Sequence, residues 1–319
     1  MITFENVTKQ FPDGTTAVND VNFAIKKGEF FVLIGPSGCG KTTSLKMMNR
    51  LIPLTKGTIY VDNKRISDYD INELRWNIGY VLQQIALFPH LTIEENIAIV
   101  PELKKWNQDK ITKRVSELLE MVGLDPDTYR KRKPSELSSG QQQRIGVIRA
   151  LAADPDIILM DEPFSALDPI SREKLQDDII DLQKKINKTI VFVTHDIQEA
   201  LKLADRICLM KEGEIVQLGT PHDFLTDPAN DFVRDFVGSS KNIGDDFRLE
   251  NVLQPLADQP APNNLRIDAA TSLEKVLAIL SEQEEVYVTS NNEIIGKFNR
   301  QMLMHYLATS FNEGRETHV

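Results

Sequence analysis

The sequence is poor in sulfur chemistry, with 2 cysteines, Cys39 and Cys208, in 319 residues. That excludes a disulfide scaffold and a thiolate zinc site, and it suits a reducing compartment. Long apolar runs are missing. The longest, such as Phe30–Ile34, are strand-sized and fall far short of the roughly 18 residues that a membrane-spanning helix needs. The opening residues Met1-Ile2-Thr3-Phe4-Glu5-Asn6-Val7 show no basic start and no apolar core, so no secretory leader is expected. An excess of positive charge is absent as well: 37 basic side chains face 47 acidic ones, a net charge of −10. Polymeric nucleic acid and anionic lipid surfaces are bound through basic patches, so neither is an expected partner. No tandem repeat or low-complexity tract is visible.

What is present is a chain that is 41% hydrophobic and 26% charged, able to build a core and long enough for about two domains. Its first 240 residues alternate strand-like and helix-like segments. Strands are expected at Glu29–Ile34, Gly57–Val61, Ile78–Leu82, Asp156–Met160, Thr189–Thr194 and Arg206–Lys211. Helices are expected at Thr42–Arg50, Asp109–Val122, Gln141–Ala153, Ser171–Lys185 and Ile197–Ala204. Such alternation argues for an α/β domain around a largely parallel sheet. Residues 239–264, with Asp245-Asp246, Pro255, Pro260 and Pro262, read as a linker. The remainder, 265–319, follows a β-α-β-β-α order: a strand Leu265–Asp268, a helix Ser272–Ser281, a hairpin of Glu285–Thr289 and Glu293–Phe298 around Asn291-Asn292, and a helix Gln301–Leu307. That is a small module.

Gly35-Pro36-Ser37-Gly38-Cys39-Gly40-Lys41-Thr42, with Thr43 next, fits the phosphate-binding loop pattern. Glycines let backbone amides turn inward around phosphate oxygens. Lys41 supplies charge to the β- and γ-phosphates, the Thr42 hydroxyl can ligate Mg²⁺, and the following helix adds its positive end. Cys39 reads as a small spacer. Ile157-Ile158-Leu159-Met160-Asp161-Glu162 is an apolar strand ending in two carboxylates. Asp161 can hold Mg²⁺ through water, and Glu162 can take a proton from an attacking water. Alone, such a pair also fits the charged start of a helix; the phosphate loop favours the catalytic reading. Leu137-Ser138-Ser139-Gly140-Gln141 is a helix cap by composition.

Here the chain resembles the ATP-binding-cassette (ABC) ATPases, over about residues 1–238. Phe11, the phosphate loop, Gln83, the Leu137–Gln141 signature, Asp161-Glu162, Ser165-Ala166-Leu167-Asp168 and His195 follow that family's motif order. The resemblance implies an ABC nucleotide-binding domain: a RecA-like core with a helical subdomain and an antiparallel β region. It implies ATP and Mg²⁺ as substrate and cofactor, with Phe11 stacking on adenine and Gln83 placing Mg²⁺ and water. His195 would contact the γ-phosphate. Two copies would pair head to tail, with Ser138, Gly140 and Gln141 reaching the partner's ATP and Asp168 lining the interface. Ser139 departs from the family, which has glycine there; if that position needs φ > 0, serine resists it.

The stretch from Ile85 to Pro101, carrying exposed-looking Leu87 and Phe88, matches the place where transporter members receive a helix of the membrane subunit; core of the helical subdomain is the alternative reading. Gly79–Ile97, Gln142-Gln143-Arg144 and Ile148–Pro155 are most similar to ATPases of bacterial glycine betaine, carnitine and choline importers. That group implies transmembrane permease subunits, an extracellular solute-binding protein or domain, and a peripheral place on the cytoplasmic face of the membrane. Import of an amino acid or other small solute, or a non-transport nucleotide-gated regulator, remain alternative readings. The tail resembles one cystathionine-β-synthase (CBS) motif, with Ile294–Arg300 as its hairpin end. Such modules in relatives bind adenine nucleotides, including cyclic di-AMP, or respond to ionic strength. From Lys241 onward there are 7 basic and 12 acidic residues, which fits an anionic-lipid sensor poorly. Arg266, Lys297 and Arg300 are the local cations for a nucleotide; a tail that only stabilises a dimer is the alternative.

Overall fold

A computed structural model describes residues 1–165, 167–186, 188–238, 249, 252–253, 265–271, 275–276, 279–280, 283–290 and 293–303. Its contacts divide the chain into Met1–Arg234 and Asp235–Val319, and each unit is described by itself. The first begins with a hairpin of β1 (Ile2–Gln10) and β2 (Thr16–Ile25), then β3 (Phe30–Ile34) and α1 (Lys41–Met48). β4 (Lys56–Val61), β5 (Lys64–Arg65), α2 (Ile71–Trp76) and β6 (Ile78–Val81) follow. Next comes a helical insert of α3 (Ile93–Leu103), α4 (Gln108–Met121), α5 (Pro126–Tyr129) and α6 (Ser139–Leu151). The chain then runs through β7 (Ile157–Asp161), α7 (Pro169–Ile186), β8 (Thr189–Val193), α8 (Ile197–Leu203), β9 (Arg206–Lys211), β10 (Glu214–Gly219), α9 (Pro221–Thr226) and α10 (Asp231–Gly238).

Six strands form the central sheet in the order β10-β9-β3-β8-β7-β6. Its pairs from β9 to β6 are parallel, and β10 is antiparallel to β9. β3, β7 and β8 are buried along their whole length, which explains their unbroken apolar sequences: a parallel strand is covered on both faces. The second sheet, β2-β1-β4-β5, is antiparallel. It packs on one face of the first. Phe23 stacks on Phe4 at 4.3 Å and on Phe31 of β3 at 5.3 Å between ring centroids. The other face carries Phe30, Phe164 and Phe192.

The antiparallel hairpin hides from a periodicity reading for a local reason. Its register shifts between Phe4 and Val7. Asn6 and Asp20 both take left-handed backbone, and Asn6 Nδ2 donates to Asp20 Oδ1 at 3.0 Å. The bulge turns the inward set into Ile2, Phe4, Val7 instead of strict alternation.

In the helical insert, Thr92 and Asn107 cap α3 and α4. The buried Asn96 donates to Phe88 O at 3.1 Å and accepts from Phe88 N at 2.8 Å, fixing the loop before α3. Leu87 does not lie on the surface as expected; it is 8% exposed, whereas Phe88 is 46% exposed. The loop has turned one side chain inward to anchor itself and left the next outside.

In the second unit β11 (Arg266–Asp268) pairs parallel with β12 (Glu285–Ser290), and β12 pairs antiparallel with β13 (Glu293–Asn299). Ile267, Val276, Leu280, Val286, Val288, Phe298 and Leu303 form its core. Within the stretch read as a linker, Leu249 is buried in this cluster and Val252 and Leu253 pack against it, so these residues belong to the module. The rest of that linker lies outside the described residues. So do Ala166, the Asn291-Asn292 turn, most of the expected helix 272–281 and everything after Leu303.

Phe23 ties the two sheets of the first unit through both its ring faces. Phe23→Ala is expected to destabilise the protein by about 3–5 kcal/mol, read as a lower denaturation midpoint in urea at unchanged slope.

Candidate active site

β3 ends at Ile34, and the phosphate loop wraps back into α1. Gly35, Gly38 and Gly40 have φ of 148°, 78° and 102°. A Cβ on Gly35 would fall 2.1 Å from Met210 O, and one on Gly40 would fall 2.3 Å from Ala17 O. The loop thus needs glycine at those two places for space as well as for conformation. At Gly38 only the conformation asks for it, since a Cβ there meets nothing within 4 Å.

Lys41 folds over the loop, its Nζ donating to Gly35 O at 2.7 Å and Pro36 O at 2.9 Å, with Cys39 Sγ at 3.8 Å. None of these partners carries charge, and Lys41 is buried. A cation held this way is poised for phosphate. Burial pushes the Cys39 thiol up, against the pull of Lys41, so it stays a neutral thiol and not a nucleophile.

The Thr42 hydroxyl donates to Asp161 Oδ1 at 2.8 Å. Asp161 Oδ2 accepts from the Tyr80 hydroxyl at 3.3 Å. Burial first, and then the charge of Asp161, push the Tyr80 phenol up, so it remains a donor. Glu162, next to Asp161, turns into the left-handed region at φ 44°, and its N–H donates to Val193 O at 3.0 Å. Its carboxylate meets Gln83 Nε2 at 3.3 Å and His195 Nδ1 at 3.2 Å.

Ser37 to Thr43, Gln83, Glu162 and His195 line one cavity of about 510 Å³, within the usual range for a small-molecule site. Gly35 and Pro36 underlie it through their carbonyls, and Asp161 through Thr42. Phe11, Ser138, Gly140, Gln141 and Asp168 do not line it. Phe11 sits at the turn of the first hairpin, with Lys9 Nζ 5.0 Å from its ring centroid. Ser138 caps α6 in a box with Gln141. Ser139 and Gly140 lie in its first turn with φ outside the positive range, so serine at 139 carries no conformational penalty. The Asp168 carboxylate accepts from Ser171 N at 3.0 Å in front of α7.

In the second unit, Lys297 pairs with Glu285 at 3.6 Å, and Arg300 donates to Leu280 O at 2.9 Å. Two of the three cations noted for the tail therefore serve its own fold. Tyr80 was not anticipated. Its signal was positional: it pairs with Leu159 in β7, two residues before Asp161 and on the same face.

A family model described as ABC transporter matches residues 18–165. The choline transport ATP-binding protein OpuBA of Bacillus subtilis (strain 168) is 52% identical over 284 residues, covering 89% of this chain and 73% of that protein. The chain belongs to the ABC transporter family. A glycine betaine/carnitine/choline transport ATP-binding protein, OpuCA of the same organism, is 51% identical over 283 residues, 89% of this chain and 73% of its own. Among solved structures, the dimeric post-hydrolysis state of the ATP-binding cassette MJ0796 bound to ADP and Pi superposes with a TM-score of 0.62. It is 38% identical and spans 69% of this chain and 99% of that one.

As a member of the ABC family the protein is an ATPase, with Mg²⁺ as its cofactor. The residues present fit that cofactor. Among the described residues no group of three or more His, Cys, Asp or Glu could hold a metal. Thr42 and Asp161 offer two oxygens 2.8 Å apart, the sparse protein share expected where Mg²⁺ is held mostly by phosphates and water.

The loop geometry separates two glycines. Gly38→Ala is expected to cost about 1–2 kcal/mol of stability for its left-handed backbone and to weaken nucleotide binding less than Gly40→Ala does. Gly40→Ala must displace the Ala17 carbonyl as well, and is expected to lose binding of a fluorescent ATP analogue by at least about tenfold, a shift of 1.4 kcal/mol or more. Fluorescence titration of the two variants side by side checks this.

Proposed function

We propose that this protein is the ATP-hydrolysing subunit of an importer for a quaternary ammonium osmolyte such as glycine betaine, carnitine or choline. The solute class rests on the relatives: about half of the residues are shared with choline and glycine betaine/carnitine/choline transport ATP-binding proteins over 89% of the chain. The hydrolytic half rests on one observation, the Glu162 carboxylate held by Gln83 and His195 at the mouth of the phosphate loop.

In this reading the amides of Gly35 to Thr43 and the Lys41 ammonium hold the β- and γ-phosphates. Mg²⁺, when bound through Thr42, Asp161 and Gln83, spreads positive charge over the phosphate oxygens. Glu162 accepts a proton from the attacking water, with Gln83 orienting that water and His195 steadying the carboxylate and reaching the γ-phosphate. Phe11 stacks on adenine. Ser138, Gly140 and Gln141 lie outside their own chain's cavity, which supports a head-to-tail homodimer. There the signature helix of one copy meets the ATP of the other, and Asp168 lines the contact.

The protein sits peripherally at the cytoplasmic face, against permease subunits that work with an extracellular solute-binding protein or domain. Among the described residues no helix is long and apolar enough to cross a membrane. Exposed Phe88 is the proposed contact for a permease helix. The C-terminal module is proposed to regulate transport through an adenine nucleotide such as cyclic di-AMP.

Glu162→Gln is expected to lower ATP turnover by roughly 10²–10⁴-fold while ATP still binds. In osmotically stressed cells lacking redundant systems, the same variant should abolish uptake of labelled glycine betaine, carnitine or choline. Unchanged uptake of all three alongside lost ATPase activity would remove the osmolyte assignment and leave the enzyme.

A further inference from the structure

A second cavity of about 50 Å³ is lined by Glu162 and His195 together with Arg172, Thr194 and Glu199. Glu199, on α8, is 6% exposed, and carboxylates are seldom buried without a partner. Its Oε2 accepts from the Thr194 hydroxyl at 2.5 Å. That hydroxyl oxygen accepts in turn from Asp196 N at 3.0 Å, and Thr194 N donates to Leu33 O at 3.2 Å. The residues on both sides of His195 therefore hang on one hydroxyl. With its hydrogen given to Glu199, a lone pair is left facing Asp196.

The other oxygen of Glu199 stands 4.0 Å from Arg172 Nε. That nitrogen is buried and has no hydrogen-bond acceptor, so Glu199 balances its charge. Arg172 also donates through Nη2 to Leu167 O at 3.4 Å, and through its backbone N to Asp168 O at 2.9 Å. One carboxylate thus connects the loop that carries His195 with the loop that carries Asp168. The helix itself does not need it: α8 is capped by Asp196 and anchored by Ile197, Ala200 and Leu203.

We propose that Glu199 is a positioning residue for ATP hydrolysis, holding the His195 loop through Thr194 and the Leu167-Asp168 loop through Arg172. This rests on the roles given to His195 and Asp168 under the proposed function. The cradle of Lys41 and Thr42 is not part of this connection, so the effect falls on turnover more than on ATP binding. Small displacements of positioning groups cost up to about 100-fold in rate.

The test measures kcat and KM for ATP with the full chain. Glu199→Ala is expected to lower kcat about 10- to 100-fold with KM within about twofold of wild type. Thr194→Val, which keeps the shape and removes the donor, should do the same, and Thr194→Ser should restore most of the rate. The double variant Glu199→Ala/Thr194→Val should be no slower than the slower single one, because Glu199→Ala already removes the Thr194–Glu199 bond that Thr194→Val cuts. A folded Glu199→Ala protein with wild-type kcat overturns the proposal, as do losses that multiply in the double variant. If Glu199→Ala does not fold, Thr194→Val decides: full turnover there overturns the proposal. Glu162→Gln run in parallel keeps the two readings apart. Full activity of that variant removes the proposed site, whereas a slow Glu162→Gln beside a fast Glu199→Ala removes only the positioning role.

Discussion

Leu33, Val193 and Asp161 stand side by side across three parallel strands, since Val193 pairs with Leu33 on one edge and Asp161 on the other. One rung further, Thr194 N donates to Leu33 O and Glu162 N donates to Val193 O. What lines the phosphate cavity leaves the sheet at or near this rung: the phosphate loop after Ile34, Glu162 after Asp161, His195 after Thr194, and Gln83 two residues after Val81, which pairs with Met160. Strand ends of a parallel sheet are where such folds collect ligands. Here the register is what makes the collection specific. A slip of one residue in β7 would send Asp161 to the other face of the sheet, away from Thr42, and leave the loop without its carboxylate. The aromatic stack of Phe4, Phe23 and Phe31 and the apolar runs of β3, β7 and β8 act on the site by holding that register.

Adjacent residues of a strand point to opposite faces, so two neighbouring carboxylates do not ordinarily serve one cavity. The backbone solves this at Glu162. Its left-handed turn, φ 44°, brings the second carboxylate to the cavity that Thr42 and Asp161 already face. A non-glycine residue in that conformation costs on the order of 1–3 kcal/mol. The bonds from Glu162 N to Val193 O, and from Ser165 N and Oγ to Glu162 O, over-determine the turn and hold it. The outcome is a division of labour by environment. Asp161 is buried and fixed through one bond on each oxygen, from Thr42 and Tyr80, suited to holding. Glu162 meets Gln83 and His195 through Oε2 alone, which leaves Oε1 suited to accepting a proton.

The parallel half of the fold was legible because its signals are local and strong. Continuous apolar runs mark β3, β7 and β8, and loop residues of special conformation mark their ends. The observed limits differ by a residue or two. α6 begins at Ser139 and not Gln141 because Ser138 and Gln141 cap each other. The antiparallel hairpin was invisible to alternation because the Asn6–Asp20 bulge breaks the period. Leu87 was misplaced because a loop apolar residue carries no periodicity to say which way it points. The residues near the cavity were readable where they sit in a contiguous motif. Tyr80, Arg172 and Glu199 were not, because their meaning comes only from strand pairing and helix docking that join positions about 25 to 80 apart in the chain.

The signature helix completes the physical argument. Ser138 accepts from Gln141 N at 3.3 Å, and Gln141 Oε1 accepts from Ser138 N at 3.0 Å, with Gln141 Nε2 reaching the Tyr129 hydroxyl at 3.1 Å. The box is closed within one chain and does not wait for a ligand. It uses the Ser138 oxygen as an acceptor and leaves the hydroxyl hydrogen to donate. With Ser139 helical, serine is also the better helix former than glycine there, so the departure from the family stiffens this turn. On the proposed head-to-tail arrangement, a second copy therefore meets a helix start that is already ordered. Pre-ordering lowers the entropy cost of association, and the free energy of closing around ATP then depends mainly on the phosphate contacts. On that proposed arrangement a capping box with one hydrogen to spare is a half-site: stable alone, with a donor left for an anion held by the other copy.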